Sequence, residues 1–331
     1  MSLAFGLLPV LLFLICLFLL DSFKLVKVGL LLLCLLWGIL SAGISYYANT
    51  FLSGYLSLSF EILSRYFAPV TEEIIKIAVI LLLIRRKLIG FMIDAAIYGF
   101  AVGTGFALVE NLYYFIQLGE GFHPVLAIVR GFGTAIMHGG TVAICAIIMI
   151  EGIHKVNHLL RAALPGIAVA ILIHASFNQF MLHPILQTLL ILTLLPLVFY
   201  FVLMRNIRQL QNWLEVEFSN EVDMLRMIRI GRFRDTKAGN YLASLRDHFP
   251  PGVVVDMYCF CSLYLELSIK AKRNIMLREN GFSPIIEADI NDKLKEIKQL
   301  RKQIGKSGEL ALQPLVRMSY KELWKLNQLQ S

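Results

Sequence analysis

The sequence predicts an all-α, polytopic membrane helix bundle of about seven transmembrane helices, followed by a C-terminal, mainly helical cytoplasmic domain. Three observations carry that expectation. The chain is 57% hydrophobic with a mean hydropathy of +0.69, more apolar surface than a soluble chain of 331 residues would use. Its first two thirds fall into windows of about 20 mostly apolar residues, each long enough to cross a bilayer. Composition then changes after Met204: residues 1–204 hold 10 Lys+Arg and 8 Asp+Glu, whereas 205–331 hold 21 and 15.

The windows run over 3–20, 28–47, 67–84, 91–117, 124–150, 163–182 and 184–204. The first lacks a basic leading region, and Asp21-Ser22-Phe23-Lys24 is no small-residue cleavage site, so it reads as an uncleaved span. The semi-polar, aromatic stretch 48–66 reads as an interfacial helix. The third window is the least apolar, because Glu72, Glu73 and Lys76 occupy its first turns. Basic residues fix the orientation. Lys24 and Lys27, Arg85 to Lys87, Lys155 and Arg161, and Arg205 and Arg208 all fall on one side of the predicted bundle. The opposite loops hold only Arg65, and 118–123 holds none. The positive-inside rule then puts the N-terminus outside and the C-terminus in the cytoplasm.

The domain predicted over 205–331 carries a net charge of +6 against +2 for 1–204. Its basic excess reads either as attraction to an anionic leaflet or as an ordinary solvated surface. Glu215 to Arg229 sets Val216, Met224, Leu225 and Ile228 among charges, and Gly239-Asn240 and Pro250-Pro251-Gly252 are breaks. Val253 to Ala271 reads as an apolar core helix. Ile290, Leu294, Ile297 and Ile304 form a heptad-like stripe. No nucleic-acid motif is visible and none is expected as a partner. The domain is expected to offer a surface to a protein partner, and no feature sets an oligomeric state. Cys16, Cys34, Cys145, Cys259 and Cys261 read as small hydrophobes rather than as disulfide or zinc sites.

Chemistry enters where apolar segments carry ionisable groups, since a charge near the bilayer centre costs at least ~2.5 kcal/mol and needs a partner or a job. Lys76 sits i+4 from Glu72 and i+3 from Glu73, so it pairs with either. One lysine does not need two carboxylates, which argues for a site. Phe106 lies one turn before Glu110 on the same helical face, with Asn111 adjacent. Arg130, Thr134 and His138 share a face, as do His174 and Asn178. At ~1.5 Å per residue, Glu72, His138 and His174 lie ~20 Å, ~21 Å and ~20 Å from the cytoplasmic ends of their spans, and Glu110 ~28 Å. Residues from separate spans therefore fall in one slab. Asp94 lies near the cytoplasmic edge, outside it. Paired carboxylates and imidazoles suit hydrolysis: Glu72 as general base for water, Glu73 orienting the site or binding Lys76, and Asn178 as an oxyanion donor. Glu110, His138 and His174 have the donor types of a zinc ligand set or would position water, with Lys76, Asn111 and Arg130 in support. No His-Glu-x-x-His and no Gly-x-Ser-x-Gly motif occurs.

At these residues the chain resembles the PrsW-type intramembrane proteases, related to the CAAX prenyl protease/Abi group. The matching elements are Glu72-Glu73-x-x-Lys76, Phe106-x-x-x-Glu110-Asn111, His138 after Arg130-Gly-x-x-Thr134, and His174-x-x-x-Asn178, over about 66–182. In the wider group the second motif ends in His; here it ends in Glu110, the PrsW-like form. The resemblance implies a bacterial inner-membrane endopeptidase cutting a membrane-protein substrate in the lipid bilayer. One family member cleaves an anti-sigma factor in a signalling cascade. The resemblance leaves open whether the glutamate acts with zinc or without metal. Two other readings stand beside it. A proton- or cation-coupled transporter would use the same groups as a relay and predicts an inverted repeat, which the sequence does not show. A membrane scaffold would place the activity in 205–331.

Overall fold

In a computed structural model, residues 2–21, 23–119, 123–156, 158–179, 181–316, 324–326 and 329 are described. Ser22, part of 118–123, and the side chain of Val216 lie outside the described set. The chain divides into two compact units, Met1–Asn206 and Ile207–Ser331. No strand occurs among the described residues.

The first unit contains α1 (Ser2–Leu19), α2 (Val28–Leu56), α3 (Phe60–Ile62), α4 (Ala68–Arg85), α5 (Met92–Leu118), α6 (Pro124–Ile128), α7 (Ala135–Val156), α8 (Leu159–Asn178) and the start of α9 (Pro184–Arg229). Two π-helical turns interrupt the regular spacing, Leu63–Phe67 before α4 and Val129–Thr134 before α7. Helix α5 is the centre of the unit, with nearly every residue from Met92 to Ala107 buried. Its first turn is closed by Asp94, whose carboxylate accepts from the Gly90 and Phe91 amides at 2.8 Å each. Asp94 is thus a helix cap. Close approach on both sides of α5 needs small residues. A Cβ on Gly103 would stand 2.1 Å from the His138 carbonyl oxygen of α7, and one on Gly105 2.1 Å from the Leu35 carbonyl oxygen of α2.

Among the described residues six helices are long and apolar enough to cross a membrane: Val28–Leu56, Met92–Leu118, Pro124–Val156, Leu159–Asn178, Pro184–Arg208 and Pro251–Glu279. Five coincide with predicted spans. The apolar part of α1 is shorter, Ala4–Leu19, and α4, carrying Glu72, Glu73, Lys76 and Arg85, is not among the six. Pro251–Glu279 is among the six although its sequence predicts a helix of the cytoplasmic domain; it carries Glu266, Lys270, Lys272 and Arg273, which pair within the second unit. The stretch expected as an interfacial helix over 48–66 is divided. Residues 48–56 continue α2 through Gly54, and the helix ends at Ser57, whose φ is 51°. Residues 60–67 lead through the π turn into α4. The last span likewise runs past 204 without a break, to Arg229.

The second unit holds the end of α9, α10 (Lys237–Ser244), α11 (Pro251–Glu279) and α12 (Ile290–Ala311), the last broken at Gly305, where φ is 64°. Met257, Phe260, Tyr264 and Leu267 of α11 pack with Leu225 and Ile228 of α9 and with Ile290, Leu294, Ile297 and Ile304 of α12. The fully buried Lys272 ammonium sits 3.1 Å from Glu221 Oε2, and Lys325 sits 3.3 Å from Glu221 Oε1.

Candidate active site

Four helices contribute one polar cluster inside the first unit. Helix α4 starts with Pro69 in its first turn, where a missing N–H costs nothing, and then presents the adjacent Glu72 and Glu73 with Lys76 about one turn later. Glu73 and Lys76 have fully buried side chains; His138 and His174 are 1% and 2% exposed. The side chains of Glu72 and Glu110 stay partly open, at 15% and 27%.

Lys76 is the hub. Its Nζ donates to Glu73 Oε1 at 2.9 Å, lies 2.9 Å from His138 Nδ1, and sits 3.9 Å from the centre of the Phe106 ring. That Phe106 position is the one the sequence placed one turn before Glu110. Beyond His138 the chain of contacts continues. His138 Nε2 is 2.9 Å from Glu110 Oε2, and Glu110 Oε1 is 3.1 Å from Arg130 Nη2, an ion pair whose alignment falls short of a hydrogen bond. Arg130 Nε donates to Asn111 Oδ1 at 3.0 Å, its guanidinium stacks on Tyr114, and Asn111 Nδ2 donates to the Gly6 carbonyl at 2.7 Å. Arg130 and Asn111 therefore hold Glu110 and tie α1 to α5.

On the other side, His174 Nδ1 is 2.8 Å from Glu73 Oε1, and its Nε2 faces Glu72 Oε2 at 3.9 Å. A carboxylate accepting from Nδ1–H fixes the tautomer that leaves Nε2 with a free lone pair. A buried charge is retained only when paired and hydrogen-bonded, which explains why Glu73 Oε1 takes both Lys76 and His174. Glu73 Oε2 is buried with no hydrogen-bond partner among the described residues. The two imidazoles meet edge to face with centroids 4.8 Å apart.

The structure brings together Glu72, Glu73, Lys76, Glu110, Asn111, Arg130, His138 and His174, but distributes them differently from the sequence reading. Glu72 joins both histidines: one of its carboxylate oxygens and one ring nitrogen each of His138 and His174 lie within 4.8 Å of one another, whereas Glu110 meets His138 alone. Both Glu110 oxygens are committed, to Arg130 and His138. Asn178 departs as well. Its amide donates to the Ser64 carbonyl at 2.9 Å, so it braces the π turn rather than facing the cluster. One turn beyond His174, at the end of α8, it has passed the site. Sequence reasoning missed Asn49 of α2, whose Nδ2 reaches Glu72 Oε1 at 3.3 Å. A single uncharged amide in an aromatic stretch gives no charge signal.

Residues 27–205, more than half of the chain, match the family model described as PrsW family intramembrane metalloprotease. The chain belongs to this family. No curated protein and no solved structure matches it. As a PrsW-family member with several membrane-length apolar helices, it is an integral membrane protein and a membrane-embedded protease, acting on a protein substrate. The PrsW match covers α2 to the membrane part of α9, and so includes every residue of the cluster apart from the Gly6 carbonyl.

Proposed function

We propose that this PrsW-family chain is an endopeptidase that hydrolyses a peptide bond of a membrane-associated protein at the Glu/His cluster, and that Glu72, His138 and His174 hold a divalent metal there, zinc by donor type. The observation that carries the reading is the convergence of those three donors within 4.8 Å. Two imidazoles and one carboxylate form a known catalytic zinc set, which keeps a position open for water. The outer contacts fit such a set. Glu73 accepts from His174 Nδ1 as a carboxylate partner of a ligating imidazole does, and the unpartnered Glu73 Oε2 is a buried acceptor suited to a cationic surrounding. His138 would exchange one of its present contacts, with Lys76 or with Glu110, for the ion.

The metal would supply a polarised carbonyl and a more acidic water. This chain's side chains do the rest. Glu73 holds the His174 ring in its tautomer, and Lys76 balances the Glu73 charge. Glu110, the more open carboxylate, would exchange its His138 contact for the water, accept the water proton and return it to the leaving amine. Arg130 and Asn111 keep Glu110 in place.

A metal-free second reading is favoured by one observation: both His138 nitrogens already have partners. In that case Glu72 is the general base, with Oε2 open toward His174 Nε2. The two readings separate on purified protein in detergent, assayed by cleavage of a labelled single-span reporter. With a metal, about one zinc per chain is present and is lost in His138→Ala/His174→Ala. Glu110→Gln then keeps its zinc but loses roughly 10²- to 10⁴-fold in turnover. Without a metal, the folded wild type holds no zinc and Glu72→Gln alone is inactive. Full activity in both Glu72→Gln and His174→Ala would falsify the site. We further propose a bacterial inner-membrane location with the N-terminus outside and the C-terminus cytoplasmic, supported by the one-sided Lys and Arg distribution. A regulatory substrate, as in the relative that cleaves an anti-sigma factor, is part of the same proposal.

A further inference from the structure

We infer that Asn49, on α2, is a positioning residue for the metal-facing carboxylate of Glu72, and that Thr71 sets the orientation of Asn49; this rests on the metal reading above. The two Glu72 oxygens have different surroundings. Oε1 accepts from Asn49 Nδ2 at 3.3 Å, while Oε2 faces His174 Nε2 and Lys76 Nζ, each at 3.9 Å. Asn49 is itself held, because the Thr71 hydroxyl, whose other acceptors in reach are the Ala68 and Phe67 carbonyls at 3.0 and 3.3 Å, makes its shortest contact with Asn49 Oδ1 at 2.5 Å. That bond leaves only the amide nitrogen for Glu72. A flipped amide would lose the Thr71 donor and set a carbonyl oxygen against a carboxylate.

Thr71 and Glu72 are neighbours on α4, so both grip one side chain reaching over from α2. A glutamate has three rotatable side-chain bonds, and ordering them costs conformational entropy. An anchor on Oε1 removes that freedom before any ion arrives and leaves Oε2 as the presented oxygen. The arrangement also accounts for Asn49 itself, a partly buried amide in the last turns of a membrane-length helix, where an unbonded amide would be expensive. Helix α2 already has another tie to α4, Trp37 Nε1 to the Ile75 carbonyl at 3.1 Å, so holding the helices together does not require Asn49.

The test is zinc affinity of the full chain in detergent, measured by competition with a chromophoric chelator. Outer partners of ligating groups are typically worth 10- to 100-fold in metal affinity. Asn49→Leu is expected to weaken zinc binding by about that factor, with Asn49→Ala as the smaller truncation should the leucine not fold. Thr71→Val should weaken it less. Because Thr71 acts through Asn49, Thr71→Val should add nothing in the Asn49→Leu background, a non-additivity that independent sites do not show. Trp37→Phe, which cuts only the other α2–α4 tie, should retain wild-type affinity. Wild-type affinity in both Asn49 variants, beside a weakened Glu72→Gln, overturns the positioning role. Equal weakening in Trp37→Phe and Asn49→Leu overturns it too, since helix packing would then be the cause. If the wild type binds no zinc, or Glu72→Gln binds as tightly as wild type, the metal reading itself falls and this role falls with it.

Discussion

Gly103→Ala is the sharpest structural perturbation of the site that touches none of its side chains. The new Cβ would stand 2.1 Å from the His138 carbonyl oxygen and 2.5 Å from Gly139 Cα, both backbone atoms that cannot rotate away. Reaching ordinary contact at about 3.4 Å requires α5 and α7 to part locally by roughly 1.3 Å. Overpacking of this kind costs about 1–3 kcal/mol. The same shift stretches the 2.9 Å contact from His138 to Glu110, which spans those two helices. A hydrogen bond to a charged group contributes about 1.5–3 kcal/mol. The expected total is about 2.5–6 kcal/mol, or roughly 5–24 °C in melting temperature at about 2–4 °C per kcal/mol. Activity should fall further than stability, by about 100-fold, because a misplacement near 1 Å is enough for that loss. The assay is thermal unfolding in detergent beside cleavage of the single-span reporter, at a temperature where the variant is still folded. Gly43→Ala is the control, with nothing within 4 Å of its added Cβ. A Gly103→Ala protein that melts with the control and cleaves at the wild-type rate would refute the close α5–α7 crossing and its role in setting His138.

Two further outcomes are expected. Lys76→Met leaves the fully buried Glu73 carboxylate without its cation and should destabilise the first unit by about 3–5 kcal/mol, while Lys76→Met/Glu73→Gln should recover part of the loss; equal melting temperatures for the single and double variants would contradict this. In the second unit, Lys270 and Arg273 beside Glu287 hold its carboxyl below the usual carboxylate range. The folded value thus lies below the unfolded one, so the stabilising share is present above about pH 4.3 and is lost as pH falls through the folded value. Protection of the Ile285 amide, bonded to Asn274 Oδ1 at 3.1 Å, should drop on acidification after correction for intrinsic exchange, and less steeply in Glu287→Gln. A Glu287→Gln profile that overlays the wild type would contradict that assignment.

The sequence by itself determined the helical class and most of the membrane-length segments, because apolar runs of bilayer length are a local property of composition. It also singled out ionisable residues that the structure brings into one cluster. Glu72, Glu110, His138 and His174 sit in separate segments at similar depth, and a charge inside an apolar helix announces itself by its cost. The PrsW resemblance rested on the same local signal, the order and spacing of motifs. Tertiary structure decided the partnerships. Local spacing pairs Lys76 with Glu72 or Glu73 equally well; only packing against α7 and α8 brings His138 to Lys76 and His174 to Glu73, which settles Glu73 in the buried pair and leaves Glu72 facing the imidazoles. Nothing in the chain order tells that Arg130 and His138 would take both oxygens of Glu110, or that Asn178 would turn to Ser64. Asn49 was invisible for a related reason. A neutral amide carries no charge to mark it in a sequence, and its meaning comes from the helix that α2 happens to face.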